Sequence, residues 1–312
     1  FLPILDFGYI LNFIYNIVQN YGLAIIIFSI LIKALMIPLS IKQQKTMKKS
    51  TKIQAKMKEI QFKYKNNPEM LTKATQELYK TENMSPFSGC FSAIVQIILL
   101  FAVFYLVRSP LTYMKKIDNN LIDAYTTEMK ESGYNSNNSY VQIATIDYAE
   151  TKYQEISKQL EQENVENREE LVKKQQEYNQ LRLNMEFLGI DLSKVPTQNL
   201  NDWRVYVIPV LYVITSIIST KLTTVTQKKK QKQDIVVSSE ENNKEVDPTE
   251  QMQQMSNSMM YMIPVMSVMI AIIAPLGLAL YWLASNILMI IERLIINKVM
   301  EKDDNKEESS NG

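Results

Sequence analysis

Residues 21–41, YGLAIIIFSILIKALMIPLSI, form an apolar run carrying one charge, Lys33. At 1.5 Å per residue a helix of this length crosses the roughly 30 Å hydrocarbon core of a bilayer and puts Lys33 near its middle. A lysine at that depth costs about 2.5–3.5 kcal/mol on insertion scales, so its ammonium belongs against protein or trapped water instead of lipid. The chain therefore needs further helices to shelter it.

Whole-chain averages conceal this pattern. Mean hydropathy is −0.14 because long charged segments dilute several apolar runs. A net charge of +1 leaves no global basic field suited to DNA, and the informative charge is local. Cys90 is the single cysteine, which excludes an intrachain disulfide and a cysteine metal cluster, and reads as a small packing residue. The absence of histidine removes His-type zinc sites, Ser-His-Asp triads and Cys-His dyads together.

In chain order, residues 1–20 read as an interfacial N-terminal helix leading into the first span at 21–41. The chain begins at Phe1 without a methionine or a basic n-region, which leaves open whether a signal segment preceded it. Pro38 should kink the far end of the first span. Residues 42–85 hold eleven lysines against four glutamates and read as cytoplasmic, with the N-terminus outside. Apolar spacing on either side of Asn66-Asn67-Pro68, an Asn cap followed by proline at the first helical position, gives a basic antiparallel helical hairpin. That hairpin is either a solvated topology signal or a docking arm for anionic headgroups, ribosomal RNA or a partner. Its first arm carries Lys42, Lys45, Lys48, Lys49, Lys52 and Lys56.

The second span is 86–107, with Gly89, Cys90 and Ser92 permitting close helix approach and Gln96 placing an amide at depth. Residues 108–202 form a long outer loop with eleven basic and sixteen acidic residues. Within it, 132–139 reads as flexible, two charged helices flank a break at 164–167, and Phe187, Leu188 and Ile190 form an apolar patch resting on the membrane surface. Most of this loop reads as a solvated helical insertion. The third span is 203–220, and 221–258 is a cytoplasmic loop with the KKKQK run at 228–232. The fourth span, 259–274, covers only about 24 Å, which favours local bilayer thinning. Pro275, Leu276 and Gly277 make the outer turn, the fifth span is 278–296, and the tail 297–312 reads as disordered and cytoplasmic. The expected fold class is all-α: a polytopic membrane protein of five transmembrane helices, N-terminus out and C-terminus in.

The run GLAIII…LIKALMIPLSIKQ, the hairpin with KYKNNPE, the entry PFSGCFSAIVQ, FLGIDLSKVP, and PLGLALYWLASN with LIINK together resemble the YidC-type membrane protein insertases, which have relatives in mitochondria and chloroplasts. The resemblance spans all five expected helices and is nearest to the five-span form of Gram-positive bacteria. It implies a bacterial plasma-membrane protein with a hydrophilic groove, open to cytoplasm and lipid, that receives polar parts of nascent membrane proteins. It implies no cofactor, metal or catalysis. The partners it implies are nascent membrane proteins and the bilayer, with the ribosome and the Sec translocon as further candidates. Carried over by position, the groove residues are Lys33, where the family usually has arginine, with Gln96, Ser219 and Trp282. Ser219 stands where relatives often have glutamine, and the outer insertion at about 120–185 departs from the expected short loop.

The residues support a mechanism of their own. A cation in a wet, low-dielectric groove attracts acidic client segments more strongly than it would in water. The plainer role for Lys33 is a structural charge paired to a neighbouring helix, while Gln96 and Trp282 are divided between packing and groove lining. Two other classes use a buried cation. A small transporter or channel would do so, although no inverted repeat is visible. An intramembrane protease could pair Ser29 with Lys33 one helical turn away, although no oxyanion arrangement or phosphate loop is apparent.

Overall fold

A computed structural model describes residues 2–82, 88–134, 140–162, 167–234, 266 and 268–310. The chain divides into two compact units. The first comprises Phe1–Ile32, Leu99–Val213 and Val268–Ser285, and the second comprises Lys33–Ile98, Ile214–Ser267 and Asn286–Gly312.

The first unit begins with α1, Leu2–Val18. It ends where Gln19 turns into the left-handed region at φ 50, and the Oδ1 of Asn20 accepts from the N–H of Leu23 at 3.0 Å to start the next helix. That helix, α2, runs Tyr21–Lys63 without interruption. The first span and the first arm of the basic hairpin are thus one helix that continues through Pro38. Proline cannot donate to the carbonyl four residues before it, but it does not end the helix here. α4, Ser88–Arg108, and the one-turn α5, Pro110–Tyr113, follow in sequence after the hairpin. α1 and α5 meet so closely that a Cβ on Gly8 would stand 1.9 Å from the carbonyl oxygen of Tyr113.

The outer loop is largely folded. α6 (Asn119–Glu131), α7 (Val141–Leu160) and α8 (Arg168–Leu181) share a core of Ile122, Met129, Ile146, Ala149, Ile156 and Leu181. The two expected helices correspond to α7 and α8, but α6 and the common core make the segment a packed subdomain instead of a solvated insertion. Hydroxyl to carboxylate bonds knit its polar interior: Glu128 accepts from Tyr148 at 3.0 Å and also from Tyr178, Glu177 accepts from Tyr125, and Asp147 accepts from Tyr134. Of the stretch read as flexible, 135–139 lies outside the described residues, as does 163–166 of the break between α7 and α8.

A two-strand hairpin, β1 (Glu186–Phe187) and β2 (Ile190–Asp191), departs from an all-α reading. Its loop serves as a cap. Helix starts leave N–H groups without intrahelical partners, which cannot go unpaired in lipid. Here Tyr21 N–H donates to the Asn184 carbonyl at 2.9 Å, Leu276 to Lys194 at 3.0 Å and Gly277 to Leu192 at 3.0 Å. Arg204 donates to the Gly189 carbonyl at 3.3 Å, and a Cβ on Gly22 would lie 2.6 Å from the ring of Phe187. The expected apolar patch is therefore split: Phe187 packs on Gly22, while Leu188, at the turn with φ 52, is exposed.

A 3-10 turn, Trp203–Tyr206, precedes α9, Val207–Asp234, so the third span continues as helix through the KKKQK run. Residues 268–273 are helical; half of the fourth span and most of the loop before it lie outside the described residues. The last helix, α10, runs Leu276–Ser310. Leu276 and Gly277 are its first residues and not part of the turn, and 297–310 of the tail read as disordered is helical. Residues 297–310 hold neither proline nor glycine, and their Lys, Glu and Met favour a helix.

Among the described residues, three helical stretches are long and apolar enough to cross a membrane: Tyr21–Thr46, Trp203–Leu222 and Leu276–Ile296. Each leaves large apolar side chains exposed, among them Leu35, Ile217 and Ile291, which is the surface a lipid solvent requires.

In the second unit α2 turns at Asn66 and returns as α3, Pro68–Thr81. Asn67 Oδ1 accepts from the N–H of Met70 at 3.1 Å, with Pro68 at the first helical position. The arms are antiparallel: Thr75 Oγ1 donates to Met57 Sδ at 3.5 Å, Lys56 pairs with Glu82, and Ile53 and Leu78 are buried.

Candidate functional site

α2 and α10 bring two charges together inside the second unit. Lys33 Nζ donates to Glu292 Oε2 at 3.0 Å. The lysine side chain is 25% exposed and the glutamate 12%. Both lie within apolar helices long enough to span a membrane, where neither charge could stand alone. Of the two roles open to Lys33, the pair with a neighbouring helix is present. Next along α10, Arg293 Nη1 donates to the carbonyl of Ser219 on α9 at 3.5 Å. Ser219 itself is buried.

Two buried polar atoms of α10 are left unsatisfied. Glu292 Oε1 and Asn286 Nδ2 are buried without hydrogen-bond partners among the described residues. Each such atom carries a desolvation cost of about 1–3 kcal/mol unless water or another polar chain supplies a partner. Asn286 and Arg293 are seven residues apart and so share one face of α10.

The other two expected groove residues are Trp282 and Gln96. Trp282 belongs to the first unit, where its ring tilts against Tyr212 at 5.9 Å between centroids. Gln96 lies on α4, with its side chain outside the described residues. Among the hairpin lysines, Lys42, Lys45 and Lys56 are exposed, and the side chains of Lys48, Lys49 and Lys52 lie outside the described residues. Ser29 donates to the carbonyl of Ile25 at 2.7 Å while Lys33 is held by Glu292, so neither is engaged as a Ser-Lys dyad requires. Among the described residues no cluster of His, Cys, Asp or Glu could hold a metal ion.

Glu292 and Arg293 are absent from the sequence reading, although the signal that singles out Lys33 is present: charges within the apolar run LMIIERLII. A cavity of about 790 Å3 lies in the first unit, lined by Lys115, Asp147, Glu150, Arg182, Asp191 and Lys194. Two of its charges answer one another in the Arg182–Glu150 pair, Lys194 pairs with Asp202 beyond the lining, and polar volume alone assigns it no role.

The model of one family, the 60Kd inner membrane protein, matches residues 13–304. Among curated proteins, the membrane protein insertase YidC of Chlorobaculum parvum is 46% identical over 102 residues, 33% of this chain and 17% of that protein. The protein of the same name from Fusobacterium nucleatum is 41% identical over 102 residues, again 33% of this chain but 50% of its own length. The matched stretches thus span half or less of either relative.

Proposed function

The chain belongs to the 60Kd inner membrane protein family, and from that premise we propose that it is a membrane protein insertase whose Lys33 receives polar segments of nascent membrane proteins. It is a multi-pass protein of a bacterial inner membrane. The observation that carries the reading is the Lys33–Glu292 pair, whose Glu292 Oε1 is buried without a partner among the described residues, inside helices that otherwise present apolar surface. Polar atoms without protein partners in such helices call for water or a visiting polar chain, and a hydrated groove supplies both.

In this reading five helices enclose the groove, with the N-terminus outside and the C-terminus in the cytoplasm. An acidic or polar client segment enters partway, attracted to Lys33 at low effective dielectric. A short fourth span thins the adjacent bilayer, and burial of the client's apolar segment drives its release into lipid. The protein breaks no covalent bond and uses no cofactor. The lysine-rich hairpin lies on the cytoplasmic side as a docking arm for the ribosome, and the Sec translocon is a further partner.

The test is site-specific photocrosslinking to a stalled nascent membrane protein from positions 33, 96 and 282. Crosslinks to the client's polar segment from position 33 are expected. If all three positions crosslink only to lipid, the groove reading is wrong.

A further inference from the structure

We infer that Glu292 is a built-in occupant of the client site: its carboxylate holds Lys33 at rest, and an incoming segment must exchange with it. The inference rests on the groove reading and deepens it by assigning the residue that sets specificity. Glu292 Oε2 stands 3.0 Å from Lys33 Nζ, the place a client carboxylate would take. The exchange has a direction, because Lys33 is the more exposed partner at 25% against 12%, so a client reaches the ammonium more readily than the glutamate. It also breaks little: among the described residues Glu292 Oε1 has no hydrogen-bond partner, so releasing the carboxylate from Lys33 breaks one contact and not two. The occupant keeps a charge in an apolar helix neutralised between clients, and its removal would leave an uncompensated ammonium.

This arrangement makes Glu292 a filter. A segment with no carboxylate offers Lys33 nothing better than it already has, whereas an acidic segment replaces like with like. The competent fraction of Lys33 is reduced by the resting pair, and apparent affinity falls in proportion. Glu292 positions and rations Lys33 without contributing to release.

The experiment uses the full chain in proteoliposomes and stalled clients with two, one or no acidic residues, each carrying a photoreactive residue in its polar segment. Glu292→Gln should raise the crosslink yield of the one-acid client about tenfold, the gain expected if the pair occupies nine-tenths of Lys33. The neutral client should not change. Lys33→Ala, measured alongside, should abolish the preference for acidic clients. If Glu292→Gln leaves the one-acid yield unchanged while Lys33→Ala lowers the preference, Glu292 is not a competitor and the groove reading stands. If Lys33→Ala leaves the preference intact, the groove reading fails and this inference with it. The charge-swapped double variant Lys33→Glu, Glu292→Lys keeps the pair and covers a folding defect in either single variant. It should favour basic client segments, because the exposed member is then a carboxylate. Normal accumulation with an unchanged acidic preference overturns the inference, since a merely structural pair predicts that result.

Discussion

Lys33 and Glu292 show how much a single charge depends on what faces it. A lysine in a span is costly, and a carboxylate at 3.0 Å offsets that cost while lowering the lysine's availability. Lys115, outside the spans, shows the opposite balance. It donates to the Arg182 carbonyl at 2.9 Å and to the Gln180 carbonyl, so no carboxylate offsets its burial. Burial, reinforced by the Arg182 guanidinium, pulls its ammonium down to about 8. A base with a lowered folded pKa stabilises the fold above its unfolded value and loses that contribution as pH falls through the folded one. Stability of the outer subdomain should therefore rise from pH 8 towards 10, below the range where Tyr125, Tyr134 and Tyr178, all raised mainly by burial, begin to oppose it. Lys115→Met should flatten that rise in thermal melts followed by near-ultraviolet circular dichroism; an equal slope in the variant would assign it to another group.

At the scale of elements, the junctions that carry most constraint are made by backbone. Carbonyls of the 184–194 segment accept from the first N–H groups of α2 and α10, so two membrane-length helices depend on one loop for their caps. The contact of α1 with α5 is tighter still. A Cβ at Gly8 would meet two backbone atoms of Tyr113, at 1.9 and 2.9 Å, and backbone cannot rotate aside as a side chain would. Gly8→Ala should force the helices apart and cost roughly 1–3 kcal/mol, read as a lowered midpoint of thermal unfolding in detergent. An unchanged midpoint would mean that the helices separate freely.

Across the whole molecule, what the sequence made legible was local. The apolar runs at 21–41, 203–220 and 278–296 carry enough hydropathy within themselves to be read as spans, and Asn67-Pro68 announces its turn by cap chemistry. What escaped depends on distant partners. α6 and the subdomain core form because Glu128 meets Tyr148 and Tyr178 from two other helices, and no window of sequence contains that pairing. The continuity of α2 from the span at 21–41 into the first arm of the hairpin is another such case, since the composition changes at Lys42 while the helix does not. Glu292 is different: its signal was present in the fifth span, and only its pairing with Lys33 shows what it does. The central claim is that the Lys33 charge receives acidic client segments. Its most direct test is the insertion rate, in proteoliposomes, of a client with an acidic outer segment. Lys33→Ala should slow it about ten- to a hundredfold and Lys33→Glu further, while Lys33→Arg stays near wild type, as loss of one charge-assisted pair worth about 1.5–3 kcal/mol implies. Normal insertion by Lys33→Ala would contradict the account.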